Sequence, residues 1–161
     1  MRRRRFVPRT VRYTTGMDRE VLVLARLARM LERACSSSGQ PPLTLAQYRL
    51  MAMIGDGTSR ASHLAGRLAL AKPTVSATLD TLVERGLVDR TTAPDDRRVT
   101  SLSLTDGGRA AVRDAEVAMR ARLDDVLAHV QQPEMVRDAL AALGHGLDVR
   151  REERHAARRE P

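Results

Sequence analysis

The sequence predicts a mainly α chain of the α+β class, in which helices flank a single small β-wing. Three observations predict it. Apolar residues recur at helical spacing over most of the chain. One turn-and-strand pattern, between Gly86 and Leu104, interrupts them. Two short amphipathic segments lie directly before that interruption, which is the order of a winged helix-turn-helix.

Each element has a local reason. Residues 2 to 19 hold seven arginines; this basic arm, residues 1–17, is expected either to lie along phosphates or to be disordered, with Met17 an alternative initiator. From Asp18 to Cys35 the spacing predicts a helix with Leu24, Leu27, Ala28 and Leu31 in one stripe. Val21, Val23 and Met30 add apolar surface elsewhere on it, so the helix needs more than one partner. Ser36-Ser37-Ser38-Gly39-Gln40-Pro41-Pro42 is a loop, after which Thr44 caps a helix over Leu45 to Ile54, stopped by Gly55-Asp56-Gly57.

The next two helices form the helix-turn-helix. Leu64, Ala65 and Leu68 share one face, capped by Thr58 or Ser59, and Val75, Leu79 and Leu82 share one face of the second. Ala65 and Ala69 are small where the helices would cross. Pro73 suits a first turn, where its missing N–H costs nothing, and Gly86 is placed to end the helix in a left-handed conformation. Leu87 to Thr91 and Val99 to Leu104 read as strands, with Leu102 and Leu104 facing the helices and Ser101 and Ser103 facing water. Pro94-Asp95-Asp96-Arg97-Arg98 is the turn between them. Thr105 then caps a long helix to about Val130, whose expected buried stripe is Val112, Met119, Leu123, Val126, Leu127 and Val130. Pro133 opens a last helix carrying Met135, Val136, Ala139, Leu140, Leu143 and Leu147.

Apolar helices at both ends exceed what 161 residues can fold into one core, so self-association is expected to cover them. Composition narrows the partners further. A formal net charge of +8 favours polyanions through counterion release. Lys72 is the only lysine, and the preference for arginine reads mainly as genomic base composition. With three aromatic residues, Phe6, Tyr13 and Tyr48, base stacking on single strands has little material, and duplex DNA fits better. One cysteine excludes an intrachain disulfide, and the absence of a long apolar run or secretory leader points to a cytoplasmic chain with no membrane partner.

The run Leu79-Asp80-Thr81-Leu82-Val83-Glu84-Arg85-Gly86-Leu87-Val88-Asp89-Arg90, the wing Asp95-Asp96-Arg97-Arg98 and the closing Leu102-Ser103-Leu104-Thr105-Asp106-Gly107-Gly108 resemble the MarR (multiple antibiotic resistance regulator) transcription factors. The resemblance runs more loosely from about residue 20 to about residue 148. It implies a domain over 18–152, with dimerisation helices at 18–36 and 105–152, a DNA-binding lobe at 44–104 and a charged tail at 153–161. It also implies a homodimer whose recognition helices enter successive major grooves, roughly 34 Å apart, of a palindromic operator.

Chemistry then apportions the roles. Pro73, Thr74, Ser76 and Ala77 offer short side chains, hydroxyls and a methyl to groove edges, with Thr78 a further contact and Lys72 a phosphate clamp. None reads a base with two hydrogen bonds, so DNA shape and water are expected to share the specificity. In the wing, Arg98 is expected in the minor groove with Asp96 orienting its guanidinium, and Arg97 on phosphate. Ala71 departs from the family pattern, which often has an acidic residue there that pairs with the wing arginine. Arg60, Ser62 and His63 read as backbone contacts or solvent-facing groups.

By the same resemblance, a small anionic or aromatic ligand would enter a cleft lined by Leu27, Met30, Leu31, Tyr48, Met51, Met53 and Met119, releasing a repressor from DNA. The ordinary alternative for such residues is core packing. Two other functions compete: a thiol-redox regulator using Cys35, or a winged-helix module that binds protein or shapes DNA without ligand. A helix C-terminus disfavours thiolate at Cys35, and the basic wing argues against a protein-binding role. The histidines show no metal-ligand spacing, and Asp124-Asp125 and Glu152-Glu153 stand without a nucleophile or phosphate loop. No cofactor and no enzymatic activity are expected.

Overall fold

The computed structural model describes residues 18–58, 61–68, 70–92 and 100–157. Its elements follow in the order α1 (Arg19–Ser36), α2 (Leu45–Gly55), α3 (Ala61–Leu68), α4 (Lys72–Glu84), β1 (Val88–Thr92), β2 (Thr100–Leu104), α5 (Asp106–Leu127) and α6 (Pro133–Ala157). The strands pair antiparallel, Val88 opposite Leu104 and Thr92 opposite Thr100, and form the base of a wing. The basic arm, Ser59, Arg60, Ala69 and the wing tip with Asp96, Arg97 and Arg98 lie outside the described residues.

The helix ends follow from capping chemistry. The Asp18 carboxylate accepts hydrogen bonds from the Glu20 and Val21 amides at the start of α1. A side-chain hydrogen bond with Glu20 first, and these backbone bonds after it, hold it below the usual carboxylate range. Thr44 and Gln47 form a reciprocal capping box on α2, the Thr44 hydroxyl accepting from the Gln47 amide at 3.1 Å and the Gln47 side chain from the Thr44 amide at 3.0 Å. Gly86, at φ 65°, makes the left-handed exit from α4.

One hydrophobic core joins α2, α3, α4 and the wing base to the C-terminal end of α1 and the first half of α5. Leu43, Leu50, Met51, Leu64, Val75, Leu79, Leu82, Leu87 and Val88 are almost fully enclosed, and Leu102 and Leu104 complete it from β2. Ser101 and Ser103 face outward, as the alternation predicts.

Two expected stripes shift. Helix α5 ends at Leu127 rather than Val130, and Val126 and Val130 are 40% and 37% exposed. Its buried line is Gly108, Ala111, Ala115, Met119 and Leu127, with Val112 and Leu123 half-buried. Helices α1 and α2 both pack on α5, and the positions enclosed there include small residues as well as Met119 and Leu127. In α1 the residues enclosed are Ala34 and Cys35, while Leu24 is 54% exposed and Leu27 and Leu31 are half-buried. Only the end of α1 reaches the core.

Helix α6 is different in kind. None of its described side chains joins the buried core, and Met135, Leu143 and Leu147 are 60%, 58% and 67% exposed. Its start is tied to α5 by an ion pair between Arg137 and Asp124 at 2.8 Å.

Candidate nucleic-acid interface

Helix α4 has an apolar back and a polar front. Val75, Leu79 and Leu82 pin the back to the core, each 1% exposed or less. On the front, Lys72, Pro73, Thr74, Ser76 and Ala77 are exposed within the first two turns. Helical geometry forces this division, because Val75 and Leu79 lie four residues apart while Thr74, Ser76 and Ala77 project from the other side. Thr78 is half-buried, and its hydroxyl donates to the Thr74 carbonyl at 2.8 Å, leaving its lone pairs as the outward function. Thr81 donates likewise to Ala77 at 3.1 Å.

The N-terminus of α4 is open. Ala71 takes the N-cap position in extended conformation, with no side-chain hydrogen bond to the helix, and Pro73 occupies the first turn. Because Ala71 has no polar side chain, no carboxylate there competes for the unpaired amides of the first turn. Those amides and the helix dipole favour an anion at this end. Lys72 stands beside them. In α3, His63 is exposed, and the buried Thr58 hydroxyl accepts from the Arg67 guanidinium in that helix's last turn.

The wing base is joined to α4 by an ion pair between Arg90 on β1 and Asp80, at 3.0 Å and partly solvated. A second seam meets it from α5. The Thr105 hydroxyl donates to the Gly86 carbonyl at 2.8 Å and accepts from the Gly108 amide at 2.9 Å, while the Thr105 amide donates to the Leu87 carbonyl. A Cβ on Gly108 would run into that Leu87 carbonyl. The two glycine-bearing motifs of the sequence are therefore two sides of one junction, between the end of α4 and the start of α5.

Arg85, which the sequence presents only as one letter of a longer signature, has a structural role of its own. Its guanidinium donates to the Gln47 side-chain oxygen at 3.2 Å and to the Pro42 carbonyl at 2.6 Å. The cap at Thr44 is read from the sequence; the part Gln47 takes in it, and its use as an acceptor for a cation from α4, come from the structure.

The residues expected to line a ligand cleft are mostly core. Met51 is fully enclosed and Met119 nearly so, and Leu31, Tyr48 and Met53 pack against the same cluster. The Tyr48 hydroxyl donates to Glu116 at 3.2 Å, and its pKa is pushed up to about 12 by burial first and the Glu116 carboxylate second. An open depression of about 570 Å³ lies instead along α1 and α5, lined by Ala25, Arg26, Arg29, Met30, Arg33, Ala34, Ser37 and Arg122. Met30 is the one residue shared with the expected cleft. Four guanidinium groups around short apolar side chains make a surface suited to an anion with a small apolar body. Cys35 is fully buried, and burial, with the Glu32 charge adding to it, pushes its thiol up, which opposes thiolate formation and redox reactivity.

Fold and site together define a class: a winged helix-turn-helix protein whose second helix presents a polar face. The sequence pattern of the MarR family matches residues 42–99. Over that stretch the chain is similar to a family of transcriptional regulators. It is 37% identical over 76 residues to an uncharacterised HTH-type transcriptional regulator, YhbI, of Bacillus subtilis, a match covering 47% of this chain and 49% of the relative. The chain thus spans about half the length of that curated relative. Among solved structures it resembles the transcriptional repressor CouR bound to a 23-mer DNA duplex, with 28% identity, a TM-score of 0.67, and coverage of 80% of this chain and 89% of that one. Its fold is also that of MarR itself, at a TM-score of 0.71 and 21% identity over 83% of this chain and 99% of the other.

Proposed function

We propose that the chain is a homodimeric, cytoplasmic repressor that reads a palindromic duplex through α4 and the wing and is released by a small anionic ligand. The observation that carries this reading is the front of α4, where Lys72, Pro73, Thr74, Ser76 and Ala77 are exposed on a helix whose back is locked in the core. A rigid helix presenting short polar side chains fits a major groove, and an uncapped N-terminus beside Lys72 fits a phosphate. CouR, similar over most of this chain, is a repressor and is bound to DNA in its structure. In this reading Thr78 contributes its acceptor lone pairs. Arg98 enters the minor groove with Asp96 at its side, and Arg97 meets phosphate.

The exposed leucines of α6 and the outer face of α1 support the dimer, because apolar surface of that extent is ordinarily covered. Ligand release is supported by the arginine-lined depression on α1 and α5. An anion held there would alter the packing of the same helices that carry the second copy.

Footprinting on the DNA flanking the chain's own gene tests the reading. The expected result is a protected site with twofold symmetry, bound far more tightly than random duplex, and freed when benzoate is added as a probe anion. Equal binding to random DNA would remove the sequence-reading role. A protected site indifferent to benzoate and to longer aromatic carboxylates would remove the ligand role alone.

A further inference from the structure

Helix α4 packs along its length on α3 and β1, both belonging to the reading lobe itself. The shared core and the Thr105–Gly86 bond already join it to α2 and α5, and one further side chain bears on its angle. We propose that Arg85 is a positioning residue: its two-pronged bond to Gln47 and Pro42 sets the angle at which α4 leaves the body of the protein, and so the fit of its front to one DNA sequence. The proposal rests on the reading of α4 as the DNA-facing helix.

The geometry favours an angular role over simple attachment. Arg85 is the C-cap residue of α4 and half-buried. A guanidinium is a flat fork, so two acceptors in different segments fix direction as well as distance. Both acceptors are themselves held. The Gln47 oxygen already accepts the Thr44 amide at 3.0 Å, and Pro42 directly precedes Leu43, which is 1% exposed.

The loop that supplies Pro42 is where the body's helices converge. Gly39, at φ 61°, lies so close to α5 that a Cβ there would meet the Asp114 carboxylate at 3.0 Å. Glu32 of α1 accepts the Leu45 amide at the start of α2, at 3.4 Å. Arg85 thus ties the end of the reading helix to the point where α1, α2 and α5 meet. Among the described residues no carboxylate pairs with it, so its bonds go to neutral oxygens, and a phosphate contact is the competing use of its charge.

The test compares Arg85→Ala and Arg85→Lys, each with and without Gln47→Glu, in the full chain. Glutamate at 47 keeps the capping box while giving a cation at 85 a charged acceptor. A duplex selected by the wild type from a random pool is measured beside an unrelated duplex, over a range of salt. Positioning predicts that Arg85→Ala weakens the selected duplex about tenfold, leaves the unrelated one within about twofold, and keeps the salt slope unchanged. Adding Gln47→Glu should recover affinity in Arg85→Lys and do nothing in Arg85→Ala. Equal loss on both duplexes, with the slope lowered by about 1, would make Arg85 a phosphate contact and overturn the proposal. So would an unchanged selected affinity. If Arg85→Ala does not fold, the Arg85→Lys pair carries the same comparison. A wild type that selects no duplex sinks the DNA reading instead. The clamp is then decided in free protein by amide exchange over residues 79–86, where exchange no faster in Arg85→Lys than in wild type ends it.

Discussion

The helix-turn-helix lobe and α6 solve the same problem, an amphipathic helix in water, in opposite ways. In α4 the apolar positions Val75, Leu79 and Leu82 are enclosed by this chain's own α2, α3 and wing base. In α6, Met135, Leu143 and Leu147 repeat at helical spacing yet remain more than half exposed. The difference separates two sources of stability. The lobe is held by burial within one chain, whereas α6, at 25 residues, is a helix whose apolar face this chain leaves uncovered. An isolated helix of that kind gains little from propensity alone, and its stability must come from packing supplied elsewhere.

The contrast is broken or sharpened by substitution, and the largest effect is expected at the seam between the two regions. Gly108→Ala drives a Cβ into the Leu87 carbonyl, where backbone and not a flexible side chain must move; a loss of about 3 kcal/mol or more is expected in urea unfolding. Leu79→Ala, fully buried in the lobe, should cost about 2–5 kcal/mol by the same measurement. Leu143→Asp with Leu147→Asp should leave the unfolding of the lobe within about 1 kcal/mol when both proteins are compared as monomers. Its effect belongs in light scattering after size exclusion, where the proposed homodimer predicts a shift from dimer to monomer. If the α6 pair destabilised a monomer as much as Leu79→Ala does, the two regions would not differ as described.

The smallest effect concerns Tyr48, which bridges α2 to α5 through Glu116. Its raised pKa means that the folded chain holds the phenol proton more tightly than the unfolded chain does. Stability from this group is therefore complete below pH 10 and falls as pH rises toward about 12. Absorbance titration near 295 nm in Tyr13→Phe should place its ionisation in that upper range, and Glu116→Gln should bring it down.

The element order was legible because several helices announce their own ends: Thr44, Pro73, Gly86 and Thr105 each mark a boundary by local chemistry. The inward faces of α3, α4 and β2 were legible for the same reason, since their apolar residues have one direction in which to pack. The inner face of α5 was not. Val126 and Val130 were expected inside and are exposed, while Ala111 and Ala115 are enclosed; which elements lie opposite a helix is a tertiary fact. The ligand cleft misled in the same way: Met51 and Met119 read as adaptable lining and are core. The depression is set by arginines 26, 29, 33 and 122, which distant segments of sequence bring together. Arg85 escaped notice because its acceptors lie 38 and 43 residues away.

The bond from Thr105 to the Gly86 carbonyl has a mechanical meaning beyond stability. It roots α5 at the point where α4 ends, and α5 is 22 residues long, which makes it a rod of about 33 Å. A tilt of about 5° about that root moves the rod's far end by about 3 Å, so a displacement of that size at Leu127 corresponds to only a slight turn beside Gly86. By that geometry, any tilt of α5 about this root is large at Leu127 and slight where α4 ends.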